Sequence, residues 1–181
     1  MAPARDKWSK MVKIEMKSSD KTNLMIIRKT RHKPANGDLF AGNILGKRWI
    51  LGRVIESNFT RVGSDRCVLL YIYSRKFDNP FDVSFPIEPL LILPPILMTS
   101  NMMWTMGYFF YIQNKKITND EIIGRHIFKS MSINKYVNEC GQKMEEPGAG
   151  ELVGEDAFYG WASLDDEISR ALGVPVHASR A

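Results

Sequence analysis

A chain of 181 residues, 44% hydrophobic and 25% charged, is long enough to bury a core unaided and reads as one soluble domain with extensions. Its two cysteines, Cys67 in an apolar run and Cys140 in a polar one, argue against a disulfide framework and for a reducing cytoplasm. The net charge of +5 hides an asymmetry, with ten Lys/Arg against three acids in residues 1–36 and nine acids against three Lys/Arg in residues 137–181. These ends can attract each other, meet partners of opposite sign, or simply be solvated.

Residues 1–10 read as a basic extension, and Met1 to Lys17 lacks the apolar run of a secretory leader. From Met11 to Lys17 apolar and charged residues alternate, which predicts a half-exposed strand with Val12, Ile14 and Met16 inward. After the polar stretch Ser18 to Asn23, Leu24 to Arg28 is an apolar run suited to a second strand. Pro34 to Asp38 is turn chemistry. Leu39 to Ile44 and Trp49 to Glu56 flank the turn Leu45-Gly46-Lys47-Arg48 and predict a hairpin, with Gly52 marking a bulge or a close backbone approach. Ser57 to Arg66 reads as a polar loop. Cys67 to Tyr73 is apolar on both faces, the pattern of a central strand covered on two sides.

From Val83 to Gln113 Glu88 is the single charge, a length that would span a bilayer. Pro86, Pro89, Pro94, Pro95 and the polar Thr99 to Asn101 interrupt it, so a buried strand pair is the better reading. Within it Trp104 to Ile112 reads as a strand with Trp104, Met106, Tyr108, Phe110 and Ile112 on one face. Asn119 to Glu121 suits a capped helical turn, closing a β domain over residues 11–136. Residues 137–181, part of the same domain, hold a glycine-rich segment from Asn138 to Gly154, read as a mobile loop, and a helix from Ser163 to Gly173. Ser163 would cap that helix, Gly173 and Pro175 would stop it, and Leu164, Ile168, Ala171 and Leu172 would dock on the sheet. The expected fold is mainly β (α+β): a small curved antiparallel sheet or partly open barrel with the C-terminal helix packed on it.

His32, His126 and His177 fall in different regions without metal-ligand spacing, and no C-x-x-C, H-E-x-x-H or nucleophile elbow occurs. No cofactor, metal or catalytic group is therefore expected. Gly42 to Arg48 is too short between its glycines for a phosphate-binding loop and has Arg48 where such a loop needs Ser/Thr. Asp38 and Arg53 are the charges most embedded in apolar sequence. Either faces a ligand or partner, or Asp38 caps a turn through amides after Gly37 and Arg53 forms a structural pair. Trp49, Trp104, Tyr108, Phe109 and Tyr111 would serve as a stacking platform for nucleic acid or, more in keeping with their apolar surroundings, as core. Lys47-Arg48, Arg75-Lys76 and Lys115-Lys116 would form a basic rim. Glu145, Glu146, Glu151, Glu155 and Asp156 are the densest single-sign cluster and the candidate partner-binding surface.

Lys33-Pro34 with Gly37-Asp38-Leu39-Phe40, then Gly52-Arg53-Val54, the Leu69 to Tyr73 run, Leu93-Pro94-Pro95, and Trp104 with Gly107-Tyr108-Phe109 follow one another in a telling order. In that order, over roughly residues 12 to 172, the chain resembles the immunity protein 26 family of bacterial polymorphic-toxin systems. The resemblance implies a mostly β cytoplasmic protein, monomer or weak dimer, that neutralises a cognate toxin domain by stoichiometric inhibition. It carries over no catalytic or toxin-contacting residue, and it gives Gly-Asp, Gly-Arg and Trp–Gly positions that suit architecture as well as function. Some relatives bear a phosphotriesterase label, which no metal-ligand constellation in this sequence supports. The alternatives are a nucleic-acid-binding small β-barrel and a hydrolase with a scattered site.

Overall fold

The computed structural model describes residues 15–61, 64–75, 77, 79–81, 83 and 85–180. The basic extension and most of the strand expected over 11–17 lie outside these. Among the described residues, Lys17 and Ile26 form an isolated bridge with backbone hydrogen bonds of 2.9 and 2.8 Å, in place of the expected strand pair.

The hairpin forms the heart of the fold. β1 (Asp38–Ile44) and β2 (Arg48–Arg61) pair antiparallel. Leu45 and Gly46 turn between them at φ 54° and 72°, the left-handed conformation that a tight hairpin demands. β2 runs on through three register shifts to Arg61, and β3 (Ser64–Ile72) starts three residues later, so residues 57–61 and 64–66 of the expected polar loop are strand instead. Bulges accommodate its polar residues by bending the strand. β4 (Ile96–Thr99) and β5 (Phe110–Asn114) complete a five-stranded antiparallel sheet in the order β4-β3-β2-β1-β5.

Period two decides which side chains go where. Val68, Leu70 and Ile72 of β3 join Phe40, Ile50 and Val54 in one core, and Leu69 and Tyr71 join Leu39, Leu51 and Ile55 in another. Both faces of β3 are thus covered, as its pattern predicts. On the first face lie α1 (Met102–Thr105) and α2 (Trp161–Ala171), which contributes Leu164 and Ile168. On the second lies a small sheet formed by β6 (Ile127–Ser130), β7 (Lys135–Val137), β8 (Lys143–Met144) and β9 (Val153–Glu155) in the order β8-β7-β6-β9. Its Phe128 and Val137 enter the second core. Mainly β with a C-terminal helix packed on a sheet is the observed class, and neither sheet closes into a barrel.

Gly52 is a close approach. It faces Phe40 across β1 and Ile72 across β3. A Cβ there would lie 2.5 Å from Phe40 Cε2 and 2.7 Å from the Tyr71 carbonyl oxygen. Gly52→Ala is expected to cost about 1–3 kcal/mol of stability by overpacking. Chemical denaturation checks this. Adding Phe40→Leu should recover part of the loss, because the ring can be relieved while the backbone carbonyl cannot.

Three local expectations are corrected. Trp104 to Ile112 is not one strand: Met102 to Thr105 is helical, and the chain reverses at Gly107, φ 90°, before β5 begins. The 138–154 segment is structured, with β8 paired to β7, β9 running parallel to β6, and Asn138 bonded to Gln142 through both backbone and side chain. The helix starts two residues early, with Gly160 as its cap. Ser163 lies in the first turn, its hydroxyl accepting from the Gly160 amide at 3.0 Å. Ala171 is exposed, and Asp165 and Ser169 are buried beside Leu164 and Ile168. Asp165 accepts the amides of Asn23 and Leu24 at 3.1 and 2.7 Å, which staples the helix to the chain entering the sheet.

Both cysteines are free, Cys67 buried and Cys140 exposed. Among the described residues no helix is long and apolar enough to cross a membrane.

Candidate partner-binding face

The motif residues converge on the main sheet. Asp38, at the head of β1, is 3% exposed. Its Oδ2 accepts the Ala35 amide at 2.8 Å and contacts His32 Nε2 at 2.7 Å, while Oδ1 accepts Asn114 Nδ2 at 2.7 Å. It caps the turn as expected, but through an amide before Gly37 rather than after it. Gly37, at φ 89°, sits where a Cβ would meet the Lys115 carbonyl, and its own carbonyl accepts the Lys115 amide.

Arg53 projects between Leu39 and Tyr71, its cross-strand neighbours, and is fully buried. Its guanidinium pairs with Glu121 and donates to the carbonyls of Lys115 and Lys116. Burial alone would raise the Glu121 carboxyl, but hydrogen bonds from Thr118, Ile87 and Arg53 hold it at about 2. Among the described residues Arg53 Nε has no hydrogen-bond partner, nor does the buried Tyr73 hydroxyl. Burial pushes that phenol up to about 12 against the pull of the Arg53 charge. Trp104 is wholly buried between Phe40 and Phe109, with ring centroids 5.4 and 5.5 Å away. Asp38, Arg53 and Trp104 therefore hold the fold. Of the aromatic platform, Trp104, Tyr108 and Phe109 are core, while Trp49 and Tyr111 are half-buried.

Two of the scattered histidines find carboxylates through the fold, which no spacing in the sequence could signal. His32 has Asp38, and it stacks on Tyr111 at 4.5 Å. His126 lies 2.6 Å from the Tyr71 hydroxyl and 3.4 Å from Glu139, bridging the two sheets. Among the described residues no group of three His, Cys, Asp or Glu could hold a metal ion.

The five acids do not form one patch. Glu151 is engaged: Arg125 grips it through Nε and Nη2 at 2.6 and 2.7 Å, and the Gly148 amide donates to it at 2.6 Å. Those partners hold its carboxyl at about 2. Asp156 pairs with Arg61, which also donates to the carbonyls of Asn138 and Glu139 and thereby locks the 138–141 turn. Glu145, Glu146 and Glu155 remain exposed and ion-pair with no cation among the described residues.

These three frame the outer face of the small sheet. Registered pairing aligns Glu155 of β9, Lys129 of β6, Tyr136 of β7 and Met144 of β8 in one cross-strand row. Since Phe128 and Val137, their neighbours in sequence, point into the core, this row points out. Lys129 Nζ rests 4.5 Å over the Tyr136 ring. Lys129, Tyr136 and Met144 of this row line an open groove of about 570 Å³ together with Lys135, Lys143, Glu145 and Glu146. At one end the β6–β7 turn holds out Met131 and Ile133, 83% and 55% exposed. Met131 and Ile133 thus stand exposed, and Tyr136 and Met144 half-buried, among charges of both signs.

No family model, no curated protein and no solved structure matches this chain.

Proposed function

We propose that this chain is an immunity protein that binds a cognate bacterial toxin domain in the cytoplasm and neutralises it by stoichiometric occlusion. One observation carries the reading: the outward row of Lys129, Tyr136 and Met144, continuous with the exposed Met131 and Ile133 at the hairpin tip. Most of the motif residues behind the family resemblance lie in the main sheet and its cores, while Leu93-Pro94-Pro95 precede β4 and line a small pocket. The small sheet, built from segments outside most of those motifs, is left to vary with the partner.

Two measurements test it. Co-expression with the toxin domain encoded beside it should restore growth, and the purified pair should form a 1:1 complex. Tyr136→Ala combined with Met131→Ser should weaken that complex at least tenfold, as loss of central interface anchors does. The melting temperature should stay within a few degrees, because neither side chain enters a core. Unchanged affinity would move the interface elsewhere. Salt-sensitive retention of DNA or RNA without toxin binding would replace immunity by nucleic-acid binding.

A further inference from the structure

Resting on that reading, we propose that the pocket between Pro94-Pro95 and α2 receives one lysine or arginine side chain of the protein partner. The pocket is small, about 200 Å³, and its walls are Leu93, Pro94, Pro95 and Val153. At these walls stand two carboxylates, Glu155 and Glu167, and the Tyr159 phenol. Burial pushes that phenol up to about 12, and the negative charges of Glu155 and Glu167 push in the same direction, Glu155 also accepting a hydrogen bond from it.

An apolar slot ending in two anionic heads is complementary to a methylene stem ending in a cation. An arginine fork can meet a carboxylate with two parallel N–H donors. Glu155 ion-pairs with no cation among the described residues. Glu167 has one local competitor, Arg170, three residues on in the same helix and 57% exposed. An exposed pair of that kind contributes little to stability, so an incoming cation displaces it at little cost. The slot is also prebuilt. Gly154 packs so tightly that a Cβ there would lie 2.8 Å from the Pro95 carbonyl oxygen. The missing side chain lets β9 lie close to the prolines, and Glu155, next in the chain, lines the slot and also belongs to the outward row.

The test uses Nα-acetyl-arginine methylamide as the probe and its neutral citrulline counterpart as control, followed by amide NMR on the full chain. The arginine probe should shift Val153, Gly154, Glu155 and Tyr159 saturably with a millimolar Kd, and citrulline should not. Glu155→Gln with Glu167→Gln should weaken the probe at least fivefold while circular dichroism stays unchanged. The same double variant should bind the toxin domain at least tenfold more weakly. Equal shifts with citrulline, or arginine shifts confined to other surfaces, would overturn the pocket. Loss of probe binding with toxin affinity intact would overturn its role in docking and leave the immunity reading standing. Specific probe binding by a protein that binds no toxin would support the pocket and count against immunity.

Discussion

Replacing Arg53 by alanine is expected to lower the unfolding free energy by about 3–5 kcal/mol, because the Glu121 carboxylate would be left in the interior without its cation. Glu121 is 2% exposed and accepts from four groups, namely Arg53, the Ile87 amide, the Thr118 amide and the Thr118 hydroxyl. Three of these donors survive the substitution, so the loss reports the missing charge and the cavity rather than collapse of the turn. Arg53→Met with Glu121→Leu removes both charges and should recover much of the cost, since a buried pair often does no better than an apolar replacement. A double-mutant cycle in urea measures the coupling. A value near zero would refute the pairing.

The same carboxylate sets an acid limit. Its folded pKa, about 2, lies below the ordinary carboxyl value. The stability it contributes is therefore complete above the unfolded pKa, about 4.3, and is lost as pH falls toward 2. The unfolding free energy from urea titrations should drop through that window in the natural chain, by about 2 kcal/mol. In Glu121→Gln that part of the slope should vanish.

Where one residue's environment is set by its neighbours in sequence, the fold was legible. The two apolar faces of β3 are the two cores it joins, and Gly46 and Gly52 lie where a hairpin needs a left-handed turn and a close approach. Alternation misled at Trp104 to Ile112, because period two looks the same whether or not a glycine at φ 90° reverses the chain midway. The small sheet was hidden for another reason. Its strands are two to four residues long, too short for any period to register, and β6 and β9 pair across a separation of 26 residues. The acids show the same limit. Composition finds Glu145 to Asp156 as a cluster, but only the fold discloses that Arg125 and Arg61 claim Glu151 and Asp156. Of the remainder, Glu145 and Glu146 line the groove and Glu155 lines the smaller pocket beside α2, so the five acids do not make one single-sign surface.

Trp104→Ala should cost about 3–5 kcal/mol, comparable to the loss of Arg53, but by a different mechanism. The indole fills the junction of α1 and the main sheet, edge-on to both Phe40 and Phe109, which themselves stack at 4.3 Å. Removing it opens a cavity whose walls are rigid on each side: β1 through Phe40, and the reversal at Gly107, whose carbonyl accepts the Ile27 amide at 2.8 Å. Trp104 Nε1 is buried without a hydrogen-bond partner among the described residues. An unpaired buried donor already costs the folded state its desolvation energy, about 1–3 kcal/mol, and phenylalanine would relieve that while keeping most of the volume. Trp104→Phe is therefore expected to lose less than half of what Trp104→Ala loses. Urea unfolding followed by far-ultraviolet circular dichroism separates the two, since tryptophan emission changes in both. Equal losses would mean that Nε1 contributes a bond in solution, and the residue would then be an anchor by polarity as well as by volume.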